Sequence, residues 1–452
     1  MRAWKGFVGI AVLILVCGGA LAFGDDTNSN SMNNGNDQVP PSDQVEPPPP
    51  APEEPAAAPA AAPTPAQPTY GPLMQLFEQI GIGKPMENLG FNIHGYVEGG
   101  YLYDMTVPND VTPARSAPGD DIFFAGPYKN AVMLNQADIM FERDMVNLPK
   151  GDWDFGFGVE TGYGRDDYFT HSNGVLDQHN KQGGTGNDDQ LDLLQIYGQL
   201  GIPLGTGITV EAGKFLSLLG YEQIDPSQNL FYTHSYGFSY GKPFTMTGIL
   251  GAYTFFDPST PTNNTTITAG VTRGWNQTLY DNNDDPDMVI QAKTKTGNFD
   301  WTVNLMIGPE GVLPYGPPDD THWWVVPEAI AVFRITDQLI LSGDLLYGDA
   351  PDLTNWFSAA GYFQWKLDPH VSLGLRAEFY HDGHGVTTGI GGPDVNYWEI
   401  TLGTTVVPMP DSPLLSTFEI RPEIRFDDAD QPAFDFSKRN EVTAAVDLVY
   451  RF

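Results

Sequence analysis

Cysteine is almost absent: Cys17 is the only one in 452 residues, and none follows it. Disulfide scaffolds and cysteine-based metal or redox sites are excluded with it. Positive charge is scarce as well, with 22 Lys and Arg against 57 Asp and Glu and a formal net charge of -35. A nucleic-acid backbone would be repelled, so nucleic acid is no partner. Beyond residue 90 no apolar run reaches 18 residues, which leaves no segment there able to cross a bilayer as a helix. Charged residues of both signs make up only 17%, low for a polar globular surface. In their place stand 50 glycines and 12% aromatics, a composition suited to many strands joined by many turns.

The amino-terminal segment has the three parts of a secretory signal. Arg2 and Lys5 precede an apolar run from Phe7 to Val16, and Ala20-Leu21-Ala22 supplies small residues for cleavage. A lipoprotein signal competes at Cys17, but Val16 stands where a small residue is expected. Residues 1–22 are therefore expected to be a signal peptide and 23–69 an unstructured periplasmic linker, Asn/Asp/Ser-rich and then Pro/Ala-rich, without a Lys or Arg. Leu73, Leu76, Phe77 and Ile80 have helical spacing. They predict a short amphipathic helix and connector over 70–90.

From residue 91 onward, segments of about ten residues alternate apolar and polar, the pattern of a membrane β-barrel. Phe91, Ile93, Val97, Tyr101 and Tyr103 oppose Asn92, His94, Glu98 and Asp104. Trp153, Phe155, Phe157, Val159 and Tyr163 oppose Asp154 and Glu160, and Phe418, Ile420, Ile424 and Phe426 oppose Glu419, Arg421, Glu423 and Arg425. Side chains on a strand project to alternate faces, so each segment has an oily and a wet side. Short turns, as at 149–152, 202–207, 296–298, 336–338 and 368–370, alternate with long polar stretches, as at 106–129, 164–190, 216–244, 276–287, 309–322, 381–395 and 427–439. That rhythm predicts an all-β, up-and-down antiparallel transmembrane barrel of about 16 strands over 91–452, with the last strand closing on the first. A lumen of that size holds an aqueous channel.

The last strand, Asn440 to Phe452, places Val442, Ala444, Val446, Leu448, Tyr450 and Phe452 on one face. It resembles the closing strand of bacterial outer-membrane barrels, whose terminal Phe belongs to the signal read by the barrel assembly machinery; Tyr450 and Phe452 are the residues concerned. The stretch 192–249 carries a second resemblance, through Gly213, Lys214, Phe215, Gly220, Glu222, Asn229, Ser235, Gly241, Pro243 and Gly248. It is similar to the central region of the OmpL-like β-barrel porin-2 family, and the likeness extends over roughly 88–452. The resemblance implies a porin of the Gram-negative outer membrane, with lipid around it and small hydrophilic solutes or cations within.

Charged residues on the wet faces are the candidate pore lining: Glu98, Glu160, Glu211, Glu378, Glu423, Arg376, Arg421 and Arg425. Rings of carboxylates favour cations, and opposed acidic and basic walls orient dipolar solutes. The Tyr- and Phe-rich stretch 216–244 is a candidate constriction loop, as the third loop of general porins is, with Glu222 and Asp225 as eyelet carboxylates and Tyr232 and Tyr236 among its aromatics. Asp281, Asp285 and Asp287 space oxygens as a calcium loop begins, yet Pro286 and Ala292 replace the Gly and Glu an EF-hand needs, so they are a weak metal candidate. Gly237–Gly241 spells G-x-S-x-G without the strand-to-helix context of a hydrolase. No cofactor motif is present. The reading is a passive, cation-preferring diffusion channel. A non-conducting structural or adhesive barrel and, further off, an outer-membrane hydrolase stay open, as does assembly into a homotrimer. Deleting Phe452 should leave export intact while most of the protein fails to insert, measured by outer-membrane fractionation and heat-modifiable gel mobility; normal insertion would refute the assembly role.

Overall fold

The computed structural model describes residues 71–106, 129–176, 189–257, 260–311, 321–434 and 437–452. The signal and linker segments fall outside these residues, as do most of 106–129. Among the described residues sixteen strands form one closed antiparallel barrel. They are β1 (Phe91–Asp104), β2 (Val132–Arg143), β3 (Asp154–Gly164), β4 (Gln190–Ile202), β5 (Ile208–Leu216), β6 (Thr245–Asp257), β7 (Thr260–Thr272), β8 (Asp287–Lys295), β9 (Phe299–Gly311), β10 (Thr321–Arg334), β11 (Leu339–Ala350), β12 (Thr354–Lys366), β13 (Val371–Asp382), β14 (Val395–Val406), β15 (Phe418–Ala429) and β16 (Asn440–Arg451). Each pairs with its sequence neighbours, and β1 closes on β16 from Tyr96 opposite Arg451 to Asp104 opposite Thr443. Phe452 extends the seam. Its N–H donates to the Gly95 carbonyl at 2.8 Å and its carbonyl accepts from the Gly95 N–H at 3.1 Å, so the first and last strands leave no edge.

Period-two alternation decides which side chains face out. Val97, Ile139, Phe141, Phe155, Ile249, Ile267, Met288, Ile290, Leu375, Ile400, Leu402, Ile424, Phe426 and Leu448 are exposed on the outer wall. An apolar belt of this extent is unfavourable in water and matches hydrocarbon. The inward partners Asp104, Asp138, Glu98, Arg376, Arg421, Arg425, Glu441 and Asp447 are buried. Their burial means that something fills the barrel.

The loop rhythm holds with two exceptions. At the rim opposite the chain ends, here the far rim, β11 and β12 are joined by 351–353 alone, and at the terminus rim β14 and β15 are joined by 407–417. Several strands also run past the predicted ends, with β7 starting at Thr260 and β10 at Thr321, because ladder pairing with neighbours carries them beyond the alternating core. Below β1 lie α1 (Pro72–Gln79) and α2 (Gly83–Asn88). The expected apolar stripe is not the buried side of α1: Leu76 is 42% and Ile80 70% exposed, while Met74 is buried.

Two inner glycines show how tightly the interior is packed. Gly213 has φ +144°, and a side chain there would meet the β4 backbone at Ile196 and Tyr197. Gly220 has φ +105°, and the space beside its Cα holds the Lys242 side chain. Backbone in that region costs about 1–3 kcal/mol for a residue with a β-carbon. Gly220→Val should therefore dislodge the β5–β6 connection without opening the barrel, read as increased chymotrypsin cleavage within 221–244 against unchanged heat-modifiable mobility. An uncleaved variant would show that the fit at Gly220 is not tight.

Candidate functional site

The connection between β5 and β6, residues 217–244 and termed L3, turns into the barrel and is almost wholly buried from Phe231 to Phe244. It carries one 3-10 turn, Pro226–Gln228, and one short α-helix, α4 (Tyr236–Tyr240), the Asp167–Thr170 helix of the β3–β4 loop being α3. Irregular backbone has no ladder to satisfy it, and buried N–H and C=O groups need partners. The barrel wall supplies them. Glu328 on β10 accepts from the Gly220 N–H at 2.9 and 3.0 Å, and Asp344 on β11 from the Tyr221 N–H at 3.1 Å. Glu423 accepts from the Tyr232 N–H at 2.8 Å, and Glu378 from the Tyr236 and Gly237 N–H groups at 2.6 and 2.8 Å.

Arginines serve the loop carbonyls. Arg376 donates to Thr233 O at 2.7 Å, Arg425 to His234 O at 2.6 Å, and Arg421 to Pro226 O at 2.6 Å and Asn229 O at 3.0 Å. Each guanidinium is also neutralised. Arg376 pairs with Glu222 at 2.8 Å and Glu399 at 3.0 Å, Arg421 with Glu98 at 3.0 Å and with Asp447, and Arg425 with Asp427 at 2.8 Å. One of these carboxylates also ties two parts of the loop together, since Glu222 accepts from the Ser235 N–H and Oγ. Losing one partner of a fully buried pair strands the other at a cost of about 3–5 kcal/mol.

The predicted residues thus occupy the wall, but most are committed to L3. Glu98, Glu378, Glu423, Arg376, Arg421 and Arg425 all face inward and end in L3 or in each other. Glu160 and Glu211 differ: they accept from Gln195 and Gln199 on the β3–β5 wall, away from these contacts. The eyelet reading of Glu222 is corrected, since Glu222 is buried against Arg376; Asp225 is half-buried and caps a turn by accepting from the Ser227 N–H at 2.9 Å. Tyr232 and Tyr236 offer no free ring face to a solute, because they are buried and their hydroxyls donate to Asn135 and Asp427 at 2.9 and 2.8 Å. Asp427, at the start of the polar stretch 427–439, is an inward residue of β15 beside Arg425. Glu328, Asp344 and Glu399 were missed, although the inward parity of their strands marks them.

Behind L3 the far half of the barrel holds an apolar core. Leu219, Tyr236 and Tyr240 of the loop pack with Met246, Val289, Met306, Val326, Leu346, Trp356, Tyr380 and Tyr397 from the wall. Trp356 Nε1 donates to Gly241 O at 3.0 Å, fixing the loop's exit. Ser239 of the G-x-S-x-G stretch is buried in this region, and His234 meets Asn229 and stacks on Phe238 rather than facing it, so no nucleophile–base pair forms. Asp281, Asp285 and Asp287 do not form one three-carboxylate site: Asp285 is exposed, while Asp281, beside Arg273, lies near enough to the inward Asp287 to act on its charge.

Burial governs the charges of L3. Burial alone would raise the Glu222 carboxyl, but Arg376, then His234 and the Ser235 N–H, draw it below its ordinary value. Burial holds His234 down at about 4 against the pull of Glu222, with Arg376 and Arg421 adding to the depression. Lys242 is pushed down to about 8 by burial, its Nζ 4.4 Å from the Phe238 ring centre.

A closed sixteen-stranded barrel with an apolar outer belt and an inward-folded third loop is a membrane barrel of the porin class. The family model described as "Putative beta-barrel porin-2, OmpL-like" matches residues 90–452. The chain belongs to that family, and it is an outer-membrane porin barrel of bacteria. No curated protein matches it. Among solved structures it is similar to Pseudomonas putida OprB, with 12% identity, 83% of this chain and 97% of that one covered, and a TM-score of 0.52. Salmonella typhi OmpF in complex with daunomycin gives 14% identity, 81% and 99% coverage and 0.50. The outer-membrane channel DcaP of Acinetobacter baumannii gives 13%, 80% and 97%, and 0.48. At such identities the likeness is one of fold.

His234 supplies a pH dependence. An undocked loop would protonate near the usual histidine value of about 6.5, the docked one only near 4. Docking stability is therefore complete above pH 6.5, falls as the pH drops toward 4, and levels off below it. Hydrogen exchange of the 232–240 amides, corrected for intrinsic rates, should speed up between pH 7 and pH 4.5, and His234→Gln should flatten that change. Equal protection at both values would contradict the linkage.

Proposed function

We propose that the protein is a passive channel for small hydrophilic solutes whose narrow section is set by L3. The observation that carries this reading is the docking of L3 across the inner face of β10–β16 and onto Asn135, Gln136 and Leu194 in the far half of β2 and β4, which leaves the terminus-side half of the β2–β5 wall as the less occupied one. Glu142, Glu160 and Glu211 project from that side, with Glu142 3.1 Å from His94 and both partly exposed. Carboxylates there would concentrate cations in a confined path. The inward arginines add no counter-field, since five carboxylates surround three guanidiniums. Lys293 and Lys295, exposed on β8 near the terminus rim, would add a basic element to the path for dipolar solutes. No catalytic step is involved. In this reading the barrel sits in the outer membrane with the terminus rim and the linker on the periplasmic side.

A second reading has its own observation. The apolar cluster behind L3 resembles the core of a globular domain, as expected of a barrel that its loop closes and that serves a structural or adhesive role. Planar-bilayer recording separates the two. For the channel, wild type should conduct, deletion of 221–240 should raise single-channel conductance severalfold, and reversal potential in a salt gradient should report cation preference. Conductance unchanged by the deletion would remove L3 as the constriction, and silent wild type with a conducting deletion would favour the closed barrel. Anion preference would refute the charge argument.

A further inference from the structure

Asp287 opens β8 and turns into the barrel, where it is 1% exposed and its carboxyl meets no N–H or hydroxyl donor, only the Glu310 carboxyl within hydrogen-bonding reach. On β9 the Glu310 carboxyl, also 1% exposed, adjoins it. Two glycines make room for the pair: Asp287 fills the place of a side chain at Gly308, and Glu310 that of one at Gly274. The Trp275 N–H donates to Glu310. Directly across the ladder from Asp287 stands Thr272 of β7, on the same inward face. Thr272 is 2% exposed, and its Oγ1 has no hydrogen-bond partner.

Two adjoining buried carboxylates repel each other strongly, so a positive charge, a proton or a cation, must be shared between them. The nearby guanidinium of Arg273 is directed to Asp281, with Nε 3.6 Å from Oδ2. Among the described residues no three acidic, His or Cys side chains converge as a metal centre, so an ion here would rest on two carboxylates and neutral oxygens. Such a set is all hard oxygen and balances two positive charges. It suits calcium better than zinc, and its irregular layout suits calcium better than magnesium, which demands an octahedron.

We propose that Asp287, Glu310 and the hydroxyl of Thr272 bind one divalent cation, Ca²⁺, that clamps β7, β8 and β9 at the base of the loop 273–286. The site is not the calcium-loop pattern of the sequence, from which it takes only Asp287. It is independent of whether the barrel conducts. The remaining ligands would be water and backbone carbonyls of the loop.

Terbium luminescence tests it on the full-length folded protein in detergent, with Tb³⁺ as the probe for calcium. Trp275, hydrogen-bonded to Glu310 and 5.1 Å from Trp324 between ring centres, is placed to sensitise the bound ion. Saturable emission excited through tryptophan is expected, with displacement by Ca²⁺. Asp287→Asn and Glu310→Gln should abolish most of it, while Asp284→Asn with Asp285→Asn, on the exposed loop, should leave it in place. Thr272→Val keeps both charges and should weaken Tb³⁺ half-saturation severalfold; it covers the case in which the charge variants fail the heat-modifiability check for folding. Emission that survives Asp287→Asn, or that is absent from folded wild type, would overturn the site and leave a proton shared by the two carboxyls as the balancing charge.

Discussion

A peptide segment without regular structure can live inside a protein only if its own N–H and C=O groups are met by something else. L3 runs through the barrel under that constraint. Much of the rest of the interior follows from it. Carboxylates of β10, β11, β13 and β15 meet the loop's N–H groups, and arginines of β13 and β15 meet its carbonyls. The wall holds its own loop much as a binding groove holds an extended peptide.

The ion pairs are a consequence of the same demand. A guanidinium that donates to a buried carbonyl must itself be neutralised, and Glu222, Glu399, Glu98, Asp447 and Asp427 do so. Loop and wall charges are thereby one network, in which charge-assisted hydrogen bonds run in both directions. The network also divides the interior. On the β10–β16 side each guanidinium is paired with carboxylates, whereas on the β2–β5 side Glu160 and Glu211 accept from neutral amides.

Outside, the constraint is of the opposite kind. The bilayer rewards any apolar side chain of suitable size, so the outer face is broad in composition and needs only alternation. Inside, the charges that hold L3 each have a named partner. This contrast explains why the strands could be read one by one and the site could not. Phe418 to Phe426 announces a two-faced strand from its spacing alone, and Arg421, Glu423 and Arg425 are correctly placed on its wet side. That they grip a loop nearly two hundred residues earlier in the chain is not a property of the strand.

The sequence by itself determined the barrel, its sixteen strands, their inward and outward faces and the identity of L3 as an exceptional connection, because each of these is written in period-two patterning and in local turn composition. Tertiary structure alone decided where the charges went. Register across the ladder set Asp447 beside Arg421 and Thr272 opposite Asp287, and the inward fold of L3 turned Glu222, Tyr232 and Tyr236 from presumed lumen surface into buried contacts. Those outcomes depend on which distant groups share one low-dielectric space, and local patterning carries no record of that.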